Sequence, residues 1–216
     1  MLQLDKNFQT LSQDQHHLLS VIQEEYYQGM LLLNSIDKSV TVYGGARIPI
    51  ESEDYQETKK IGYFFGQNGW HVITGGGPGA MAAALEGSKE AGGKTAAFRI
   101  TLDNLEPQIV IPDIDFLCTQ FSTRKYLLRQ SDGFVVVPGG WGTLDELMEL
   151  LNLIKTDKYP TKHVFLLNKS FWIGLVNWLE KVVCQEKGLV TTQSMSSFVL
   201  VDNAEEIAEY LNQNPD

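Results

Sequence analysis

Residues 133–154 read GFVVVPGGWGTLDELMELLNLI, an apolar run, a glycine loop and a helix start that carries two carboxylates, Asp145 and Glu146. The first amides of a helix have no partner inside it, and the helix dipole favours an anion there, so such a loop is suited to phosphate. A carboxylate beside the amides can act on whatever the phosphate anchors. The spacing therefore suggests chemistry on a nucleotide or a sugar phosphate.

Two further loops share this character. Gly44-Gly45-Ala46-Arg47 follows an apolar run at 40–43, and Gly75-Gly76-Gly77-Pro78-Gly79 follows one at 70–74. Glycine lets a ligand approach the backbone closely, so that amides converge on phosphate oxygens where side chains would block them. A strand-to-helix turn also uses glycine for structural reasons alone; the case rests on three such loops at the ends of apolar runs. None has the GxGxxG spacing or a Gly-Lys-Ser/Thr ending, which takes support from hydride transfer and ATP hydrolysis. Arg47, Arg99, Arg124 and Lys125 are the nearby cations. Of these, Arg124 and Lys125 are favoured as phosphate or substrate contacts, because they are read as opening the helix that feeds the apolar run at 134–137.

Glu146 has two readings. Thr143-Leu144-Asp145-Glu146 fits a capping box, in which the threonine hydroxyl takes a first-turn amide and the glutamate reaches back to the cap. Alternatively the carboxylate faces the ligand held by the loop. From the local pattern alone the cap is the stronger reading.

The elements that must position these residues are legible as apolar runs at 40–43, 70–74, 95–100, 116–119, 134–137, 164–167 and 198–201, read as buried strands. Most intervals have helical spacing; Leu144, Leu147, Met148, Leu151 and Ile154 share one face. Alternating strands and helices with continuous apolar strands predict a Rossmann-like, doubly wound α/β fold, a mainly parallel sheet of about seven strands with helices on both faces. Ligands in that architecture bind at the strand carboxyl ends. Residues 39–216 are read as one nucleotide-binding domain and 1–38 as a helical extension. Its stripe of Leu18, Leu19, Ile22, Tyr26, Met30 and Leu33 is expected to pack outside the sheet, with a dimer contact as the alternative.

Composition narrows the partners. With 17 basic and 27 acidic residues the chain carries a formal charge of −10, which opposes general affinity for nucleic acid or anionic membrane. The first thirty residues include Asp5, Lys6, Asp14, His16 and His17 and show neither a secretory signal nor a membrane span, so a cytoplasmic protein is expected. Cys118 and Cys184 are read as reduced core thiols rather than metal ligands or a disulfide.

Taken together, the stretch from Thr74 through Gly79 to Ala80-Met81, the pair Arg124-Lys125, and Pro138-Gly139-Gly140-Trp141-Gly142-Thr143-Leu144-Asp145-Glu146 resemble the LOG ("Lonely Guy") family over residues 39–211. These are cytokinin-riboside-monophosphate phosphoribohydrolases, many of them long labelled lysine decarboxylases. The resemblance implies a Rossmann-like sheet, a dimer or higher oligomer, and hydrolysis of the N-glycosidic bond of AMP or an N6-modified AMP to free base and ribose 5-phosphate. It places Arg124 and Glu146 as the catalytic pair, and Lys125 and the loop of Gly139, Gly140, Trp141, Gly142 and Thr143 as nucleotide contacts. Gly45, Arg47, Gly76, Gly77, Gly79, Met81 and Asn152 complete the expected substrate-binding set, and no metal or cofactor is expected. The chain departs from the family pattern at Ala82 and Leu85, where glutamate and asparagine are usual on a helix expected to face the site. It departs again at Arg99, in a stretch running to Pro107, where asparagine is common. The departures at Ala82 and Leu85 leave a second reading, a nucleotide-binding or sensing protein without turnover; a carrier of a larger phosphorylated cofactor rests on fold analogy alone.

Overall fold

The computed structural model describes residues 11–102, 110–160 and 162–214. Along them run α1 (Gln13–Leu33), β1 (Ser39–Tyr43), α2 (Glu53–Gln67), β2 (His71–Thr74), α3 (Ala80–Glu90), β3 (Thr95–Ile100), β4 (Ile114–Cys118), α4 (Phe121–Leu128) and β5 (Gly133–Val136). There follow α5 (Trp141–Lys155), β6 (His163–Leu167), α6 (Lys169–Trp178), a π-helix (Leu179–Glu186), α7 (Thr192–Met195), β7 (Val199–Val201) and α8 (Ala204–Gln213). The sheet is wholly parallel, in the order β4-β3-β2-β1-β5-β6-β7. Strand order reverses between β1 and β5, and a crevice opens at the carboxyl ends where a sheet reverses in this way.

Successive side chains on a strand point to opposite faces, and the core divides accordingly. Val40 and Val42 of β1, with Val135, Phe165 and Leu167, meet Ile61 and Phe65 of α2, Ala84 and Leu85 of α3, and Ile207 of α8. Tyr43, Phe134, Val136, Val164 and Leu166 face the other way, onto Leu127 and Leu128 of α4, Leu147 and Leu150 of α5, and Trp172 of α6. The doubly wound architecture read from the sequence is thus present, with seven parallel strands.

Three expectations need correction. The runs at 116–119 and 198–201 are not fully buried strands, as each lies at a sheet edge: β4 alternates, with Cys118 buried and Asp115 and Leu117 exposed, and Val199 and Leu200 of β7 are half-buried. Cys184 is not a core thiol, since it sits half-buried in the π-helix with its sulfur 4.0 Å from Thr192 Oγ1. The third concerns α1, whose fully buried positions are Glu25 and Gly29; of the expected stripe, Ile22, Tyr26 and Leu33 are half-buried, Leu33 against the core, while Leu18, Leu19 and Met30 are exposed. The helix lies over α4 and the end of β4. Gly29 brings its backbone onto Leu127, where an added Cβ would meet Leu127 Cδ1 at 2.4 Å, and the Tyr26 and Tyr126 rings stand 4.8 Å apart.

The helices α2 and α3 meet backbone to backbone. A Cβ on Gly62 would lie 2.1 Å from the Ala84 carbonyl oxygen, and one on Gly87 would lie 1.8 Å from that of Lys59. Neither neighbour is a flexible side-chain end, so the helices themselves would have to separate. Gly87→Ala should therefore destabilise the protein by about 2 kcal/mol, as overpacking of a close contact does. A urea titration checks this; an unchanged midpoint would show that the two backbones can part at little cost.

Candidate active site

The three glycine loops converge at the carboxyl ends of β1, β2 and β5, on both sides of the point where strand order reverses. Backbone bonds stitch them together: Gly45 N donates to the Pro138 carbonyl at 3.0 Å, and Ala80 N, the first amide of α3, to the Gly45 carbonyl at 3.1 Å. Gly79 makes the second contact feasible. Its φ is +66°, and a Cβ there would meet the Gly45 oxygen at 2.3 Å. Gly76, with φ +71°, lets the second loop turn beneath Arg99, whose Cγ would lie 2.6 Å from an added Cβ.

These loops bound a cavity of about 470 Å³. Gly140 is the cap of α5 and offers no side chain to its amides; the first helical bond runs from Leu144 N to the Gly140 carbonyl. The amides of Trp141, Gly142 and Thr143 are therefore the open donors of a helix N-terminus, at the cavity wall. This overturns the capping-box reading. Helix α5 begins at Trp141, two residues before Thr143, which puts Glu146 in the second turn, and its carboxylate turns to Arg124.

Glu146 Oε1 accepts from Arg124 Nη1 at 3.1 Å, and the two side chains are only 11% and 12% exposed. Arg124 Nε donates to the Phe98 carbonyl at 2.9 Å, so the guanidinium is held at both ends. It packs flat against Gly75, where a Cβ would lie 2.0 Å from Nη2. Burial pushes the Glu146 carboxyl up to about 7; Arg124 opposes that shift and the neighbouring charge of Asp145 adds to it. Tyr43, stacked on Phe134, also borders the cavity, and burial followed by the charge of Glu146 raises its phenol well above the ordinary value. It stays neutral and forms a wall.

Of the residues expected at the site, Gly45, Arg47, Gly76, Gly77, Met81, Arg124, Gly140, Trp141, Gly142, Thr143 and Glu146 border the cavity. Four do not. Gly79 and Gly139 lie behind the loops as backbone spacers, Gly139 because a Cβ would strike Thr143 Oγ1 at 2.2 Å. Lys125 does not open its helix either: α4 starts at Phe121, and the Lys125 ammonium pairs with Asp145 and Glu149 of α5, each at 3.0 Å. Asn152 is exposed, nearly two turns beyond Glu146, and uses its carbonyl to close the end of α5. The departures resolve in two ways. Ala82 and Leu85 are buried in the packing of α3 and do not border the cavity, contrary to the expectation that they face it. Arg99 does border it, held by Asp115 through two bonds of 2.7 and 2.8 Å. The residues from Asp103 to Pro107 lie outside the described ones. Tyr43, Ile100, Leu102 and Phe121 line the cavity without having been expected there. They are apolar or aromatic ends of strands and helices, which sequence reasoning assigns to the core. Among the described residues no group of three His, Cys, Asp or Glu could hold a metal ion.

The family model described as "Possible lysine decarboxylase" matches residues 81–211, more than half of the chain. A cytokinin riboside 5'-monophosphate phosphoribohydrolase of Mycobacterium tuberculosis is 29% identical over 182 residues, covering 79% of this chain and 91% of that protein. One from Arabidopsis thaliana is 26% identical over 147 residues, covering 66% and 67%. Among solved structures, the molybdenum cofactor binding protein of Rippkaea orientalis aligns with a TM-score of 0.59 at 21% identity, over 82% of this chain and 97% of that one. DNA processing protein A of Streptococcus pneumoniae aligns at 0.53 and 17%, over 80% and 61%. The structural likenesses are of fold alone, and they join proteins of unlike function.

The elevated Glu146 value can be measured directly. Because the folded value lies above the ordinary 4.5, this carboxyl's contribution to stability is fully present below about 4.5 and fades as pH rises through about 7. Carbon NMR of the labelled glutamates should show one carboxyl titrating near 7, lost in Glu146→Gln and moved further up in Arg124→Met. A Glu146 that titrates near 4.5 would show that water reaches it freely.

Proposed function

This chain belongs to the LOG family, the one whose model carries the decarboxylase description, and on that premise we propose that it hydrolyses the N-glycosidic bond of a nucleoside 5'-monophosphate, AMP or an N6-modified AMP. The observation that carries the reading is a buried, guanidinium-paired carboxylate one helical turn beyond a set of open helix amides in the same cavity. Glu146 follows Thr143 by three residues, just under one turn and about 4.5 Å along the helix axis. That is the scale separating the 5'-phosphate of a nucleotide from its anomeric carbon. With the phosphate on the Trp141, Gly142 and Thr143 amides, C1' and the glycosidic nitrogen fall beside Glu146 and Arg124.

The chemistry follows from charge. As the bond between C1' and the base nitrogen breaks, its electron pair leaves with the base and positive charge builds on the ribose ring. Ionised Glu146 stabilises that charge and orients a water whose oxygen bonds to C1'; one hydrogen of the water stays on the new ribose hydroxyl, and the other passes to the carboxylate and from there, through solvent, to the departing base, leaving Glu146 ionised again. Arg124 holds the carboxylate in place and balances negative charge on the base. Arg47, exposed at the cavity mouth, is available to the phosphate. The products are free base and ribose 5-phosphate. The same reading takes the protein as a cytoplasmic homodimer or higher oligomer. A non-catalytic binding protein drew its motive from Ala82 and Leu85; with both in the core, that motive falls away. The cavity brings forward no lysine, among the residues that line it, that could form a Schiff base for decarboxylation.

Chromatography of free base from a panel of nucleoside monophosphates tests the reading. Base release should rise as pH passes through about 7, where Glu146 ionises. Glu146→Ala should lower it by at least ~100-fold, the scale of losing a group that stabilises transition-state charge. AMP bound by the parent without release of base would select a sensor instead, and release undiminished in Glu146→Ala would remove that residue from the chemistry.

A further inference from the structure

The start of the helix that carries Arg124 is held by a residue it does not own. Gln120, the cap residue of α4, makes no side-chain cap bond. In its place stands Glu25, from the middle of α1, nearly a hundred residues earlier and only 7% exposed. One carboxylate oxygen accepts from the Thr119 amide at 2.5 Å and from Thr119 Oγ1 at 2.6 Å; the other accepts from Thr123 Oγ1. The carboxylate thus sits on the positive end of the α4 dipole and satisfies donors just before the helix and in its first turn. Burial alone would raise the Glu25 carboxyl, but the hydroxyls and amides around it outweigh burial and hold it below the ordinary value, so it is charged. Thr123 is the residue before Arg124.

We propose that Glu25 is a positioning residue for the reaction, fixing the start of α4 so that the Arg124 guanidinium reaches both the Phe98 carbonyl and Glu146. Arg124 emerges within one turn of the donors Glu25 holds, and its side chain must span to β3 on one side and α5 on the other. A small rotation or slide of α4 about its axis is amplified along so long a side chain. The hydrophobic contacts of α4, through Leu127 and Leu128, hold its far end against the sheet but leave its first turn to polar contacts. Gly29, one turn past Glu25, lets α1 lie close enough for the carboxylate to arrive. The N-terminal helix therefore serves the site it does not touch.

The inference rests on the assignment of Arg124 and Glu146 to the reaction, and the test keeps the two apart. The first readout needs no substrate: the Arg124 Nε proton, bonded to the Phe98 carbonyl, should exchange slowly with solvent by nitrogen NMR of the parent. In Glu25→Gln and in Thr123→Val its exchange should quicken by tenfold or more, while Thr123→Ser, which keeps the hydroxyl, should stay near the parent. The second readout is base release from AMP, referred to folded protein by circular dichroism. There the first two variants should lose tenfold or more in kcat with KM within twofold, and Thr123→Ser should restore kcat. Exchange of the Arg124 proton unchanged in folded Glu25→Gln, or kcat unchanged where exchange has quickened, would overturn the proposal. A parent that releases no base would instead overturn the assigned reaction, and the exchange measurement would still decide whether Glu25 sets Arg124.

Discussion

A carboxylate that the fold has nearly removed from water, and that one guanidinium holds, is the constraint around which this cavity is organised. Glu146 is 11% exposed, and burial disfavours its ionised form. The guanidinium of Arg124 is what keeps ionisation within reach. Removing water from an ion costs several kcal/mol, and a single partner offsets that only when geometry is good and the remaining donors are occupied. Arg124 meets that condition through its second bond, to Phe98, and through its packing on Gly75. The pair spans three elements, so its geometry is only as good as the alignment of β3, α4 and α5.

That alignment is built differently on the two faces of the sheet. On the face of α2 and α3 the backbones touch, through Gly62 and Gly87, and few small motions are open to them. On the face of α4 and α5 the helices are spaced by side chains and linked by ion pairs, Lys125 to Asp145 and Glu149, and Arg129 to Glu149. Partly exposed pairs of this kind contribute little stability. Their effect is to set register between two helices whose apolar residues, Leu127, Leu128, Leu147 and Leu150, supply the adhesion. Lys125 belongs to this framework rather than to the cavity, although its place beside Arg124 in the chain suggests otherwise.

The sheet and its glycine loops were legible because hydrophobic runs and glycine act locally: each strand is a short stretch whose burial its own composition reveals. Edges were less so, since β4 differs from the inner strands only in having one neighbour, a property of the assembled sheet. Glu146 shows the limit of local pattern. Thr143 through Glu146 satisfies the spacing of a capping box, yet the helix starts earlier, at Trp141, and leaves its first amides open at the cavity; only the joint pattern with Arg124 and the second loop pointed to the carboxylate's partner. The N-terminal helix shows the same limit in reverse. Of the stripe Leu18, Leu19, Ile22, Tyr26, Met30 and Leu33, Ile22, Tyr26 and Leu33 are half-buried and the other three exposed, while the positions buried deepest are a glutamate and a glycine, which no hydrophobic periodicity could favour.

Charge closes the argument at a larger scale. The chain as a whole is acidic, with a formal charge of −10, and its long-range field repels an anionic nucleotide. Within the cavity the balance reverses, since Arg47, Arg99 and Arg124 line it and the open amides of α5 add their partial positive charge. Two of those arginines are already engaged, Arg99 by Asp115 and Arg124 by Glu146, so neither offers an unscreened full charge. On the proposed reading, phosphate recognition would be left to short-range donors, the backbone amides first, whose contribution falls away within a turn of the helix. On the proposed reading, such a site would select a phosphate by shape and direction rather than by attraction at a distance.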